Sequence, residues 1–313
     1  MAISNYPSGF THGVTVRGVP VTVAHPGQVF FVNNSLVLAP KGVGGSDGNS
    51  GTYQKPFSTI NGAIVQCTAG QGNIIFVMPG HAETVSTAAG VNLSKAGVAV
   101  IGLGNGSLRP TFNLTATGST VSISAANCSL KNVLITGGVD AIASAVVVSA
   151  ADCTIEGCEL RDVTGQMTDG ILTTAGAERL KILNHVHNGD VAAGTNAAIA
   201  IVGGSDIEIT AEALDGNFAV GAIDVRTTLT TNLFVHDMKR VFTRNSADII
   251  LIDTITGSTG QIGPNINGRL TDNAANITQA FTGATFVYMQ PLNLVNLAGE
   301  SSLQSTITAS TNA

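Results

Sequence analysis

The stretch NCSLKNVLI at residues 127–135 is the first of five similar segments in the middle of the chain. The others are DCTIEGCEL at 152–160, RLKILNHVH at 179–187, DIEITAEAL at 206–214 and NLFVHDMKR at 232–240. Successive segments begin 25, 27, 27 and 26 residues apart. Because repeats of about 20 to 50 residues are typical of solenoids, the chain is expected to stack similar units along one axis.

Apolar and polar residues alternate within each segment, which is the period-two pattern of a β-strand. Aligned on their first residues, the segments give two apolar columns: Cys128, Cys153, Leu180, Ile207 and Leu233, and then Leu130, Ile155, Ile182, Ile209 and Val235. Short apolar runs that indicate a second strand precede the repeat segments at 121–123, 146–148, 199–201 and 223–225. Columns at a fixed offset predict an all-β, single-stranded parallel β-helix, with an antiparallel sandwich as the alternative.

Two further columns hold polar and charged side chains that are expected to face outward. They are Asp152, Arg179, Asp206 and Asn232, and then Thr154, Lys181, Glu208 and Phe234. Neighbouring strands lie about 4.8 Å apart, so opposite charges on adjacent coils would favour the stack. These charges therefore have a structural explanation before a catalytic one is needed.

A short amphipathic helix is predicted ahead of the repeat, at about residues 57–68. Its apolar residues have the i, i+3, i+4, i+7 spacing of one buried face: Ile60, Ala63, Ile64 and Cys67. Ser58 is the expected N-cap and Phe57 the hydrophobic staple before it. The helix is expected to close the first coil, because an open sheet end invites aggregation.

Three regions are expected along the chain. Residues 1–45 form an N-terminal β arm with valine-rich strands, residues 46–257 form the β-helix, and residues 258–313 form a C-terminal association segment. The repeat is expected to dissolve beyond about residue 257, where one apolar patch remains at 286–295. Both ends are interpreted as attachment or association segments.

Composition excludes several classes of protein. Only 11% of the 313 residues are charged, the formal net charge is −6, and 44% of the residues are hydrophobic. The acidic balance argues against nucleic-acid binding, and no apolar run approaches the roughly 18 to 20 residues of a membrane helix. The beginning of the sequence lacks the pattern of a secretory signal, and the four cysteines are expected to be reduced, buried thiols.

The opening of the repeat region resembles that of pectate-lyase-like right-handed β-helices, which phage tailspikes and polysaccharide lyases share. The resemblance rests on GNSGT at 48–52, KPFSTI at 55–60 and IFVMPG at 75–80, and it extends over about residues 45–257. It implies a right-handed parallel β-helix and leaves the chemistry open, because one scaffold carries many functions.

The arm has a second, shorter resemblance. VTVRGVP at 14–20 and HPGQVFFVNN at 25–34 resemble the start of proteins encoded among phage head and structural genes. This resemblance implies a virion protein that is made in the host cytoplasm.

No catalytic, cofactor-binding or metal-binding residue is predicted. Polysaccharide lyases need an acidic cluster with a base, and glycosidases need two carboxylates about 5 to 10 Å apart. In the repeat, Asp152, Asp206 and Glu208 face Arg179 and Lys181, Glu156 and Glu159 flank Cys158, and Asp162 and Asp169 are expected in turns. The chain has no tryptophan and three tyrosines, so an aromatic surface for sugars is not expected.

One column combines imidazole and charged side chains with apolar ones. At the repeat offset it contains Val133, Cys158, His185, Glu212 and Met238, beside Ile135, Leu160, His187, Leu214 and Arg240. His185 and Glu212 would be neighbours as an acid–base pair, or His185 and His187 would form a metal site. The favoured interpretation is a polar stripe where the coil wall meets solvent or a neighbouring subunit.

The function expected from these observations is that of a bacteriophage virion structural protein, a capsid decoration or cement spike that stabilises the head shell. The chain is expected to act without enzymatic activity, as a homotrimer bound to the major capsid protein, with neither nucleic acid nor membrane as a partner. A tailspike receptor-binding protein, with a host-surface polysaccharide as partner, is the first alternative. A polysaccharide lyase or hydrolase is the second.

Overall fold

The computed structural model describes a chain made almost entirely of short strands. The described residues are 15–16, 19–20, 27–36, 44–162, 167–190, 194–243, 250–270, 281 and 286–296. In chain order the strands are β1 Thr15–Val16, β2 Val19–Pro20, β3 Val29–Val32, β4 Ile74–Val77, β5 Ala82–Val85, β6 Val91–Leu93, β7 Ala99–Gly102, β8 Thr111–Leu114, β9 Val121–Ile123, β10 Ser129–Lys131, β11 Leu134–Gly137, β12 Ile142–Val148, β13 Thr154–Glu156, β14 Glu159–Asp162, β15 Met167–Thr173, β16 Lys181–Asn188, β17 Ala197–Ile201, β18 Glu208–Gly216, β19 Gly221–Val225, β20 Leu233–Thr243, β21 Ile250–Thr254, β22 Gly260–Ile262, β23 Ile266–Leu270, β24 Phe286–Tyr288 and β25 Leu292–Asn296. Helix α1, Ile60–Gln66, lies between β3 and β4, and a 3₁₀ turn spans Gly106–Leu108.

Two long sheets run along the molecule. One is ordered β3-β4-β7-β10-β13-β16-β18-β20-β22-β24, and the other β6-β9-β12-β15-β17-β19-β21. Strands β5, β8, β11 and β14 form a further ladder that joins the first sheet at the long strand β16. Each neighbour in these ladders comes from the next coil and pairs in parallel, which confirms the predicted right-handed parallel β-helix with a short capping helix.

The predicted core columns lie inside the coil. Residues pair in register from Leu130 through Ile155, Ile182 and Ile209 to Val235, and all of them are buried. The residues of the preceding apolar column are buried as well: Cys128, Cys153, Leu180, Ile207 and Leu233. Stacking of like apolar residues over successive coils therefore provides the hydrophobic core.

Two columns of left-handed residues shape the corners of each coil. At the first corner, φ lies between 52° and 58° for Asn127, Asp152, Arg179, Asp206 and Asn232. At the second corner the left-handed residues are Asn132, Gly157, Asn184, Asp237 and Asn265. Asn, Asp and Gly adopt this conformation at the lowest cost, so the backbone explains why these residue types recur at the repeat offset.

The capping helix is shorter than the predicted range, and its N-cap lies one residue later than predicted. Thr59, and not Ser58, is the N-cap, because its side chain accepts a hydrogen bond from the Gly62 amide. Ser58 instead donates to the Asp47 carboxylate, which holds the chain at the entry to the helix. The buried face is the predicted one, with Ile60, Ala63, Ile64 and Cys67 in the core.

The β-helix is longer at both ends than the sequence indicated. Strand β3 pairs in parallel with β4, so this part of the expected arm belongs to the β-helix. Strands β22 to β25 continue the ladders, so the repeat does not dissolve at residue 257. Strands β1 and β2 form an antiparallel pair, and most of the arm and residues 297–313 lie outside the described residues. The division into three regions otherwise stays a prediction.

The four thiols are free and buried, as the sequence indicated. Burial raises the pKa of Cys67, Cys153 and Cys158 to about 11, so these thiols are inert at neutral pH. No helix in the described part of the chain has the length and apolar character that a membrane crossing requires.

Candidate functional site

The outward columns form ladders of paired side chains along the first sheet. Arg179 Nε and Nη2 donate to the two carboxylate oxygens of Asp152 at 2.6 and 2.9 Å. On the neighbouring column Lys181 Nζ lies 2.9 Å from Glu208 Oε2. The predicted stacking of opposite charges on successive coils is therefore confirmed. Its main effect is to fix register, because exposed ion pairs contribute little to stability.

A groove lies over this charged face. It consists of two adjoining depressions of about 450 and 560 Å³. Asn232 and Phe234 line both depressions, and Val287 lines the far end of the smaller one. Both depressions are shallow and open to solvent, so this surface is suited to an extended ligand rather than an enclosed one.

One aromatic side chain, Phe234, lines both depressions, and a second ring, His236, stacks on it. The rings of Phe234 and His236 are stacked with centroids 3.9 Å apart and planes 21° from parallel. His236 is held by Glu208, 3.3 Å from Nε2, and by Asp237, 2.7 Å from Nδ1. The sequence analysis missed this surface because it considered only Trp and Tyr. The outward position of Phe234 in the repeat was the signal that could have found it.

The predicted column of His185 and Glu212 is wrong. His185 lies opposite Ala211, and Glu212 points outward, where Lys239 Nζ is 2.6 Å from its carboxylate. His187 lies opposite Leu214, which continues to Val241 and not to Arg240. Both imidazoles are fully buried, so they form neither an acid–base pair nor a polar stripe on the coil wall.

A break in strand parity explains this error. Asn184 has φ 51°, and this left-handed residue moves the inward positions from Ile182 to His185. Strand β18 carries no left-handed residue at the equivalent point, and its register with β16 shifts there. Thr210 Oγ1 fills the gap by accepting a hydrogen bond from the Asn184 amide at 2.8 Å. A fixed repeat offset therefore aligns Glu212 with the wrong residue.

The two buried imidazoles lie among apolar groups, and the Cys158 backbone is the polar group that acts on His185. None of their four ring nitrogens has a hydrogen-bond partner, and the His187 ring packs against Phe218 at 5.6 Å. Burial lowers the pKa of His185 to about 4 and that of His187 to about 3. In the part of the chain that the structure describes, no group of three His, Cys, Asp or Glu side chains is arranged to hold a metal ion.

A carboxylate network that the sequence analysis missed lies on β15, β19 and β21. Arg226 donates through Nη1 to Asp224 at 3.1 Å and through Nη2 to Asp169. Asp253 pairs in register with Asp224 on the next coil. Asp169 lies within β15, and not in a turn as expected. Burial raises the pKa of Asp169 and of Asp224, while Arg226 opposes the shift.

The remaining acidic candidates lie apart from this network. Glu159 accepts from Arg109 at 2.8 Å and from Arg161 at 2.5 Å, while Glu156 pairs with Lys131. Asp162 ends β14, and burial raises its pKa to about 6, with the charges of Asp190 and Asp140 acting in the same direction. These side chains are distributed over several corners and do not converge on one ligand position.

Comparison with known proteins adds little to this geometry. No protein-family model matches the chain, and no curated protein matches it. A solved rhamnogalacturonan lyase is similar, with a TM-score of 0.45 and 16% sequence identity over 84% of this chain and 73% of that chain. A similarity of this size carries no argument about activity, so the candidate sites are judged on their own contacts.

Two places can therefore do chemistry or bind. The groove offers donors and acceptors together with the ring of Phe234, which suits the hydroxyl groups and apolar ring faces of a sugar chain. The Asp169–Arg226–Asp224 network offers two carboxylates on one guanidinium, and both carboxylates are almost completely buried. Arg226 neutralises much of their charge, which suits a structural role better than proton transfer.

Proposed function

We propose that the chain is a structural protein of a bacteriophage virion, a decoration spike that binds the head shell and reinforces it. The observation that carries this proposal is the use of outer charges as bridges between coils, as in the Asp152–Arg179 and Lys181–Glu208 pairs. The bridges fix the register of successive coils in a long stack, and a fixed register is what a mechanical part of a particle requires. The resemblance of residues 14–34 to the start of phage head proteins supports the same role.

The proposed assembly is a homotrimer on the major capsid protein, in particles made in the host cytoplasm. The arm and the C-terminal segment would contact the shell and the sister subunits. The low proportion of charged residues, 11%, is compatible with large areas of contact between subunits. Neither nucleic acid nor a membrane is a proposed partner.

The proposal is tested by adding the purified chain to particles that lack it. Particles with the chain restored are expected to retain their DNA at a higher temperature than bare particles. A truncated chain without residues 1–26, which keeps β3 in the β-helix, is the control, and it is expected to give no protection. No binding of the full chain to bare heads would overturn the proposal.

A second candidate function is recognition of a host-surface polysaccharide by a tailspike. The groove with its Phe234–His236 pair favours it. Binding of the chain to an array of bacterial surface polysaccharides tests it, with Phe234→Ala as the groove variant. Leu108→Ala is the matched control, because Leu108 is another partly exposed apolar side chain and does not line the groove. Equal polysaccharide binding by the two variants would rule out the groove as the binding site.

A third candidate, a polysaccharide lyase or hydrolase, is favoured only by the carboxylates on Arg226. If it holds, release of reducing ends from an acidic polysaccharide should be lost in Asp169→Asn. The proposed structural role predicts no release by the unaltered chain. The two roles are therefore separated by one assay.

A further inference from the structure

The histidine pair on β16 has no part in the functions proposed above. His185 and His187 are two residues apart on one strand, and both side chains are completely shielded from solvent. None of their ring nitrogens has a hydrogen-bond partner. A buried polar group without a partner is costly, and a buried cation without a partner is far more costly. Both rings are therefore held neutral.

The surroundings offer little to a protonated ring. On the preceding coil, the Cys158 backbone and the charge of Glu159 act on His185 and oppose the effect of its burial. The Glu159 carboxylate is already bound to Arg109 and Arg161. On the following coils His185 meets apolar residues, Ala211 and then Met238.

The His187 ring is enclosed in the same way. It lies between Leu160 and Leu214 along the stack and packs against Phe218. A Cβ added to Gly170 would lie 2.9 Å from His187 Nδ1. The opposite wall of the coil therefore packs closely against the His187 ring. The titratable group that acts on it is His185, whose charge would oppose protonation. In the closed coil, burial therefore opposes protonation of each ring, and a charge on His185 further opposes protonation of His187.

The sheet is also irregular at this point. The register between β16 and β18 shifts on both sides of His185, and the register between β18 and β20 shifts after Ile209. One backbone hydrogen bond of the ladder is replaced by a bond to the side chain of Thr210. Such interruptions lower the cost of separating neighbouring strands.

We propose that the histidine pair makes the junction between β16 and β18 an acid-sensitive joint of the β-helix. Protonation of either ring favours departure of the strand from its place, because the closed coil offers the cation at most the Cys158 backbone beside His185 and, among the described residues, no hydrogen-bond partner beside His187. The open form binds the protons, so it becomes more populated as the pH falls. The joint lies between the coils that end with β16 and those that begin with β18, and the β15–β17 and β17–β19 pairings of the second sheet continue past it.

The direction of the effect follows from the pKa values. Burial lowers the pKa of the two rings to about 4 and about 3, below the ordinary value of 6.5. The closed junction is therefore fully stable above pH 6.5, and its stability is lost as the pH falls from 6.5 toward 4. The inference rests on the fold and is independent of the proposed virion role.

Hydrogen exchange of the purified chain, read by mass spectrometry, tests the joint. Protection factors, corrected for intrinsic exchange, are compared at pH 7.5 and 5.5 for peptides covering 181–188 and 208–216. Opening is expected to increase about tenfold if one ring is protonated in the open form, and about 100-fold if both are. Peptides covering β6 to β9 serve as the internal reference and are expected to change little.

Variants assign the effect to the pair. His185→Met with His187→Leu places at both positions an apolar residue that occurs elsewhere in the same column, and it is expected to abolish the pH dependence. His187→Leu alone is expected to reduce it to about tenfold, and it provides the test if the double variant does not fold. His236→Gln removes the other histidine that contacts β18, through Glu208, and the full effect is expected to remain at 181–188 in this variant. Unchanged protection at 181–188, or an equal loss in the variants at positions 185 and 187, would overturn the proposal.

Discussion

At the scale of single residues, left-handed backbone positions decide which side chains enter the core. The alternation of apolar and polar residues around Leu130 or Ile155 correctly predicts which side chains point into the core, up to the second left-handed corner of each coil. Beyond that corner the parity depends on a residue such as Asn184, whose conformation the apolar pattern does not reveal. The sequence therefore predicts the core columns and the charge ladders, and it fails at His185.

The same scale explains the aspartate that directly precedes the opening motif. Asp47 accepts hydrogen bonds from the amides and hydroxyls of Ser58 and Thr59, with distances between 2.7 and 3.0 Å. The Thr59 hydroxyl in turn caps the helix at Gly62. One carboxylate thus fixes both the chain entry and the helix cap. The apolar periodicity predicted the N-cap one residue too early. It does not show that Asp47, which lies outside the helix, accepts the hydrogen bond of the Ser58 hydroxyl and leaves Thr59 as the cap.

Asp47→Ala is expected to lower the free energy of unfolding by about 1 to 2 kcal/mol, because the helix entry loses its acceptor. Denaturation in urea, followed by circular dichroism, measures the change. Asp47→Asn keeps one acceptor oxygen and is expected to cost less than the alanine variant. Equal stability of the alanine variant and the unaltered chain would contradict this account of the motif.

At the scale of elements, β18 is the irregular strand of the stack. It lacks the left-handed corner of its neighbours, and Thr210 supplies the acceptor that the ladder would otherwise provide to Asn184. A single segment cannot show this, because the acceptor and the donor lie on different coils. The carboxylate network was missed for a similar reason, since Asp169 and Asp224 meet only through Arg226.

Thr210→Val is expected to destabilise the chain by about 1 to 3 kcal/mol, since it leaves the Asn184 amide without an acceptor. Thr210→Ser retains the hydroxyl group and is the matched control. Exchange of the Asn184 amide, resolved by NMR, should become faster in the valine variant and remain slow in the serine variant. Slow exchange in both variants would show that this hydrogen bond does not support the junction.

At the scale of the whole molecule, the coils continue where the sequence repeat fades. The glycines near residue 260 are requirements of stacking and do not mark its end. Gly263 has φ 98°, and a Cβ at that position would lie 2.0 Å from the Met289 carbonyl oxygen. The Leu233 column meets Gly260 in these coils, while the Val235 column continues to Ile262 and the Met238 column continues to Ile266 and Leu292. Apolar periodicity read at a fixed offset therefore underestimates the length of the β-helix.

The long stack with bridged coils is the basis for the proposed structural role. Quantitative mass spectrometry of purified phage particles, with isotope-labelled peptides of this chain and of the major shell protein, tests that role most directly. The account predicts a fixed copy number, of the same order as that of the shell protein. Absence of the chain from particles, or a few copies that remain with isolated tails, would contradict it.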